Sequence, residues 1–336
     1  MQTGERYNIG AGSELGKEMV KGLVSIIVAA YNHQQYISPL LESILEQTYT
    51  NMEVLICDDC SKDMTYQKAQ EYVERFRDKG VKMRLMRNEQ NQGVCKTFNR
   101  LLKLCEGEYI KPIASDDFFS EAEAIEEYVS LMEKFPQTDV LVANAYMVKN
   151  VASYPLNEED ILKPFYRTLP LDNEMDSVYK MYQENYICAP SVMYRRRVIE
   201  TIGIYDESML FEDWDYNLRI VEAGLEVRFE EACLVAYRQV GESLSHNVTE
   251  GGYIRQFSGQ MLTLIKHAEC VKEEAYQVQK AILFHYYTIA HRKKYRELAT
   301  SVKKMMRKQK VHLCEWYYTY IKTEILVKMR WFKERK

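Results

Sequence analysis

Short apolar runs and helical apolar spacings alternate along the first part of the chain. Val24-Ser25-Ile26-Ile27-Val28-Ala29-Ala30 is a largely β-branched run, the pattern of a strand buried on both faces. It stops at Tyr31-Asn32. Apolar Leu40, Leu41, Ile44 and Leu45 then recur at helical spacing between Ser38 and Glu46. EVLICDD predicts a second strand and TYQKAQEYVERFRDKG a helix closed by Gly80. VKMRLMRN predicts a third strand, VCKTFNRLLKLCEG a helix ending near Gly107, and EYIKPIASDD a fourth strand. Strands alternating with helices through short connections predict a parallel α/β sheet. Ligands of such sheets sit at the carboxyl ends of the strands. Tyr31, Asp58, Asp59, Asp116 and Asp117 all fall there.

Past residue 120 the alternation loosens. EAEAIEEYVSLMEKFP predicts a helix and DVLVANAYMV a strand, and the polar stretch 151–176 is expected to be irregular. NYICAPSVMYRRRVIETIG holds a strand and a helix, FEDWDYNLRIVEAG a helix closed by Gly224, and LEVRFEEACLVAYR one or two strands. From about Gly252 the pattern is helical throughout. No internal repeat interrupts it.

Charge changes this picture. Residues 266–336 carry 18 Lys/Arg against 7 Glu and no Asp, whereas the remainder holds 27 basic and 42 acidic residues. The split predicts two functional parts, the second either a helical bundle packed on the first with a basic solvated face, or a surface suited to an anionic membrane or an acidic partner. Nucleic acid is not expected as a partner, because no recognised binding module is present. No apolar run is long enough to span a bilayer, and the charged, glycine-bearing start lacks the apolar core of a signal peptide. A cytoplasmic chain, peripheral on the membrane at most, is expected. Oligomeric state is left open.

The carboxylates carry the candidate chemistry. Adjacent Asp116 and Asp117 repel one another, so the pair calls for a cation, and hard oxygen ligands suit Mg2+ or Mn2+. The plainer alternative is a solvated loop or a helix cap. Asp58-Asp59 can accept hydrogen bonds from a base or ribose, or can close a turn. Glu212, Asp213 and Asp215 flank Trp214; they fit a helix dipole, or a general base beside an aromatic wall. Arg238 and His246 bracket a Ser/Gly loop where Arg could clamp a phosphate. Cys57-x-x-Cys60 lacks the further ligands a zinc site needs and lies at a strand end, so it is expected to be incidental.

Together these segments resemble the family 2 glycosyltransferases of GT-A fold. VSIIVAAYNHQQYISPLLESILEQTYTNMEVLICDDCSKD is similar to that family's amino-terminal signature. NQGVCKTFNRLLKLCEGEYIKPIASDD is similar to the block leading to its metal motif, and FEDWDYNLRI to its Glu-Asp motif. The resemblance covers roughly residues 22–245. It implies a nucleotide-sugar site at Ala29, Tyr31, Asp59, Asn91, Gly93, Asp116 and Arg238. Tyr31 would lie against the base, Asp59 on its edge (uracil as a rule), and Asp116 near the ribose. Asp117 would bind a divalent metal, Mn2+ or Mg2+, and Asp213 would be the general base of an inverting transfer. Glu212, Trp214 and His246 would lie near the sugars. The donor would be a UDP-sugar, and the acceptor a saccharide or lipid-linked saccharide in surface polysaccharide synthesis.

Two positions depart from the family pattern. Cys60 stands where glycine is common, and Val240 where a histidine is common; His246 or Ser243 is a possible substitute for that histidine. The expected organisation is a tail at 1–21, a GT-A catalytic domain at 22–252 and a basic helical region at 253–336. A catalytically silent GT-A domain serving as scaffold or saccharide binder is the alternative, and the intact aspartate set argues against it. A nucleotidyltransferase would need a glycine-rich basic loop after the first strand, which AAYNHQQYI lacks.

Overall fold

A computed structural model describes residues 18–149, 154–165, 174–240, 248–271 and 273–311. The chain divides into two units, Met1–Val240 and Gly241–Lys336. The first is built on one nine-stranded sheet. Its elements run β1 (Val20–Ala30), α1 (Ile37–Leu45), β2 (Met52–Asp58), α2 (Thr65–Gln70), α3 (Tyr72–Asp78) and β3 (Lys82–Arg87). Then come α4 (Val94–Leu102), β4 (Gly107–Ala114), β5 (Phe118–Phe119), α5 (Ala124–Lys134), β6 (Val140–Val148) and β7 (Ile161–Phe165). The unit closes with α6 (Glu174–Gln183), β8 (Val192–Arg195), α7 (Arg196–Ile202), α8 (Asp213–Glu222) and β9 (Val227–Arg238).

Strand order is β3-β2-β1-β4-β8-β6-β9-β5, with β7 paired to β6. The first four strands are mutually parallel, as the alternating pattern predicts. β8 is antiparallel to both β4 and β6, so the sheet is mixed beyond β4. Val24, Ile26, Val28, Val54 and Ile56 pack in one core cluster with Leu40, Leu41 and Ile44 of α1. That is the burial that an all-apolar parallel strand and an apolar helix stripe require.

Three differences from the sequence reading have local causes. β1 starts at Val20, inside the expected tail, because Val20 pairs with Gly107 across a bulge that Gly22 (φ 70°) permits. The stretch expected to be irregular carries β7, which takes β6 as its partner. Phe118-Phe119 of SDDFF forms a buried two-residue strand against β9.

The second unit contains α9 (Glu250–Lys266), α10 (Ala268–Val271), α11 (Glu273–Arg292) and α12 (Arg296–Lys308). Thr249 caps α9 by accepting the N–H of Gly252, and Glu250 Oε1 accepts the N–H of Glu297 at the head of α12. In α12, Leu298, Val302 and Met306 are buried at four-residue spacing, while Arg296, Lys303, Lys304, Arg307 and Lys308 are exposed. Among the described residues, no helix is long and apolar enough to cross a membrane.

Candidate active site

Strand register brings three chain reversals to one edge of the sheet. Ala29 lies opposite Cys57 of β2 and Ala114 of β4, and Ala30 lies opposite Asp58. Tyr31, Asp59 and Ser115 to Asp117 therefore leave the sheet side by side. The Tyr31 ring is exposed. Asp59 is buried, and its backbone N–H donates to Ala30 O at 2.8 Å.

The Asp59 carboxylate holds a loop. Oδ1 accepts from Asn88 Nδ2 at 2.7 Å and from the Gln92 N–H at 2.8 Å; Oδ2 accepts from the Gly93 N–H at 2.9 Å. Gly93 (φ 87°) is the N-cap of α4, and Asn91 is exposed beside it. Asp58 has a different task. Its Oδ2 accepts the Ser61 N–H at 3.0 Å and lies 3.1 Å from Arg87 Nε. Between these residues, Cys60 adopts φ 63°, the left-handed conformation that glycine takes without strain. The cysteine side chains part company: the Cys57 thiol lies on Asn88 Oδ1 and the Cys60 thiol on Glu89 O. Burial pushes the Cys57 thiol up to about 11, where it is inert.

At the end of β4, Asp116 and Asp117 are both buried. Burial, then the neighbouring Asp116, raises the Asp117 carboxyl well above the usual carboxylate range. Such a pair fits a hard divalent cation, whose charge offsets both causes. Arg238 lies underneath rather than out in solvent. Its Nη1 donates to Asp116 O at 2.5 Å, its backbone N–H donates to Asp117 Oδ1 at 3.0 Å, and its guanidinium covers Phe118 at 4.3 Å. The sequence reading left a phosphate clamp and a surface arginine as alternatives; β9 carries Arg238 into the core, which excludes the surface arginine, and its bonds brace the Asp116–Asp117 turn. His33, not singled out from the sequence, approaches from the β1 side. Its Nδ1 lies 2.7 Å from Ser115 Oγ and 3.9 Å from Asp116 Oδ1. Val240 is buried, and Ser243 and His246 lie outside the described residues.

Next to this edge is a small open recess. Ala114 and Pro190 form one side, Phe98, Tyr194 and Tyr205 the aromatic walls, and Glu212, Asp213 and Asn217 the polar part. Asp213 is the first residue of α8. Its Oδ1 accepts the Trp214 N–H at 2.8 Å and its Oδ2 accepts from Asn185 Nδ2 at 2.8 Å. Burial raises the Asp213 carboxyl, and burial followed by Asp213 pushes Glu212 up to about 8. Trp214, expected as the aromatic wall, turns away: it is buried and its Nε1–H donates to Met181 O at 2.7 Å. Helical geometry sends residue 214 to a different side from 213, and other segments supply the wall.

A fully buried lysine supports the recess from behind. Lys111 Nζ donates to Pro190 O at 2.5 Å and to Pro112 O at 3.2 Å, between the Phe119 and Tyr128 rings. Burial pulls it down to about 7. A lone Lys in an apolar run is a sequence signal for such a group, but it does not say what the group holds.

The family model described as glycosyl transferase family 2 matches residues 25–203, more than half of the chain. The chain belongs to glycosyl transferase family 2. The matched segment begins within β1 and contains β2 and β4 with the aspartates at their ends. Among curated relatives, the chain is 35% identical over 147 residues to the UDP-Glc:alpha-D-GlcNAc-diphosphoundecaprenol beta-1,3-glucosyltransferase WfgD of Escherichia coli. That match covers 42% of this chain and 55% of WfgD. Among solved structures, TarS 1-349 of S. aureus in complex with UDP-GlcNAc superposes with TM-score 0.57 at 21% identity, covering 79% of this chain and 72% of TarS. The mannosyltransferase PcManGT of Pyrobaculum calidifontis, in complex with GDP-Man and Mn2+, superposes with TM-score 0.54 at 15% identity, covering 88% and 90%. These likenesses show the fold, which is the GT-A fold of family 2 glycosyltransferases with helices appended after the sheet.

Proposed function

We propose that this family 2 glycosyltransferase moves a sugar from a UDP-sugar to a hydroxyl of a saccharide or lipid-linked saccharide, inverting the anomeric centre, in surface polysaccharide synthesis. One observation carries the reading. The recess lined by Asp213 is also lined by Ala114, the last residue of β4, two positions before Asp116. The recess beside the proposed base therefore adjoins the strand end that leads to the proposed phosphate end of the donor site, which supports the reading. WfgD takes a UDP-sugar and a lipid-linked acceptor by name, TarS binds UDP-GlcNAc, and both support the donor class.

In this reading Tyr31 lies on the base. Asp59, with three of its roughly four acceptor positions used by the loop it holds, accepts one more N–H from the base edge. Ala29, Asn91 and Gly93 shape that site, and Asp116 faces the ribose. Asp117 would hold a divalent cation, with Asp116 beside it; PcManGT binds Mn2+, which supports the choice. The cation supplies charge to offset that of the leaving diphosphate. Asp213 takes the proton of the acceptor hydroxyl as its oxygen bonds to C1, while the C1–O bond to the diphosphate breaks on the opposite face. Asn185 holds Asp213 in place. Arg238 acts as a positioning residue for Asp116 and Asp117. The exposed basic face of α12 supports a peripheral seat on the anionic cytoplasmic face of the membrane.

The test is a panel of UDP- and GDP-sugars with Mn2+, Mg2+ or chelator, read as nucleotide release with saccharide acceptors. Metal-dependent release from a UDP-sugar is expected. No release from any donor, and no metal-dependent UDP binding, overturns the reading.

A further inference from the structure

Asp213 and Glu212 are not the only polar side chains that line the recess. Asn217 lies one helical turn after Asp213, on the same face of α8. It is 1% exposed and lines the recess. Its Oδ1 is buried and has no hydrogen-bond partner among the described residues. Buried acceptors are nearly always satisfied, so an orphan on a residue that lines a cavity points to a ligand.

The orientation of this amide is fixed by its neighbours. The Asp213 carboxylate, when ionised, can only accept, so Asn185 must present Nδ2 to Oδ2, at 2.8 Å. Asn185 Oδ1 then faces the other way, where it accepts from Asn217 Nδ2 at 3.0 Å and from the Ile187 N–H at 3.4 Å. One N–H of Asn217 is therefore committed to the chain Asn217–Asn185–Asp213. Its carbonyl oxygen is the acceptor left unused.

The recess is small and open, and joins aromatic walls to a polar corner. Phe98 and Tyr205 supply flat apolar faces, with ring centroids 5.8 Å apart. Glu212, Asp213 and Asn217 supply the polar part.

We propose that Asn217 Oδ1 is a specificity-determining contact that accepts one hydroxyl of a pyranose seated in this recess. The proposal rests on the glycosyltransferase reading given above. The pyranose is either the transferred sugar or the terminal sugar of the acceptor. Both present the same chemistry, a ring hydroxyl donated to a buried carbonyl. A site built to hydrogen-bond a hydroxyl rejects the analogue lacking it strongly, since the buried acceptor is then left bare.

The experiment pairs ligand and protein changes. The UDP-sugar that turns over fastest in the donor panel is compared with its monodeoxy analogues. A GlcNAc-diphospho-undecyl acceptor is compared with its own monodeoxy forms. Each kcat/KM is measured for the wild type and for Asn217→Leu, with Asn217→Ala used if the leucine variant does not fold. One deoxy compound is expected to lose about tenfold or more in the wild type. The variant should treat that compound and its parent within about twofold. A loss in the donor series assigns the hydroxyl to the transferred sugar; a loss in the acceptor series assigns it to the acceptor. If no single hydroxyl matters in either series, or if its loss persists in the variant, the proposal is overturned and Asn217 Oδ1 serves only a buried water. Wild-type turnover of a UDP-sugar without any such coupling sinks this proposal alone. Failure of every donor sinks the parent reading with it.

Discussion

Asn185 Nδ2 donates to Asp213 Oδ2 at 2.8 Å, which ties the chain just after α6 to the head of α8. This bond favours the charged form of Asp213, against burial, which raises it. Asn185→Ala removes it. The expected result is a fall in kcat of about 10–100-fold, with UDP affinity within about twofold of wild type. The sign for pH follows: without the donor, Asp213 holds its proton more tightly, so the rising limb of the pH–rate profile moves to higher pH. An unmoved limb counts against Asp213 as the titrating base.

Gly93 makes a second test, independent of the base. Its φ of 87° lies in the left-handed region, and a Cβ there meets no atom within 4 Å. The effect of Gly93→Ala is therefore a backbone effect, of about 1–3 kcal/mol. Urea denaturation should show a loss of that size. Calorimetry should show weaker UDP binding, since the Gly93 N–H is one of the bonds that orient Asp59.

Arg238 separates a brace from a clamp. Arg238→Lys keeps the charge but loses the flat guanidinium over Phe118 and the Nη1 bond to Asp116 O. It should cost about 1.5–3 kcal/mol of stability and weaken metal-dependent UDP binding. A variant of native stability that loses only phosphate affinity would restore the clamp reading.

Lys111 predicts a pH dependence of stability. Its folded pKa is about 7, against 10.5 ordinarily, because burial disfavours the ammonium. Between these values the unfolded chain binds the extra proton, so stability rises with pH; below about 7 the full penalty is present. The slope of denaturation free energy between pH 7 and 9 should flatten in Lys111→Met. An unchanged slope refutes the assignment.

The parts of the site that the sequence makes legible are those fixed by strand ends. Apolar runs ending at Tyr31, Asp59 and Asp117 locate the edge, because a parallel sheet must deliver them together. The contacts made by side chains are another matter. Asn185, Asn217 and His33 reach the candidate site only by tertiary approach, across separations of 28 residues for Asn185 with Asp213 and 82 for His33 with Ser115. No local spacing encodes them. Residue type alone suggests an aromatic wall for Trp214 and a phosphate clamp for Arg238, and it does not reveal that both are buried, the indole donating to Met181 O and the guanidinium covering Phe118. Strand β7 is not legible because its short run ILKPF carries a proline, lies in a polar stretch and takes its pairing from β6.

The central claim is that Asp213 removes the acceptor proton while the sheet edge binds the nucleotide. The direct measurement is sugar transfer and UDP binding side by side for Asp213→Asn. The amide keeps the shape but cannot take a proton. The account predicts transfer lowered by about 10²–10⁴-fold with UDP affinity unchanged. Transfer at the wild-type rate by Asp213→Asn would contradict it.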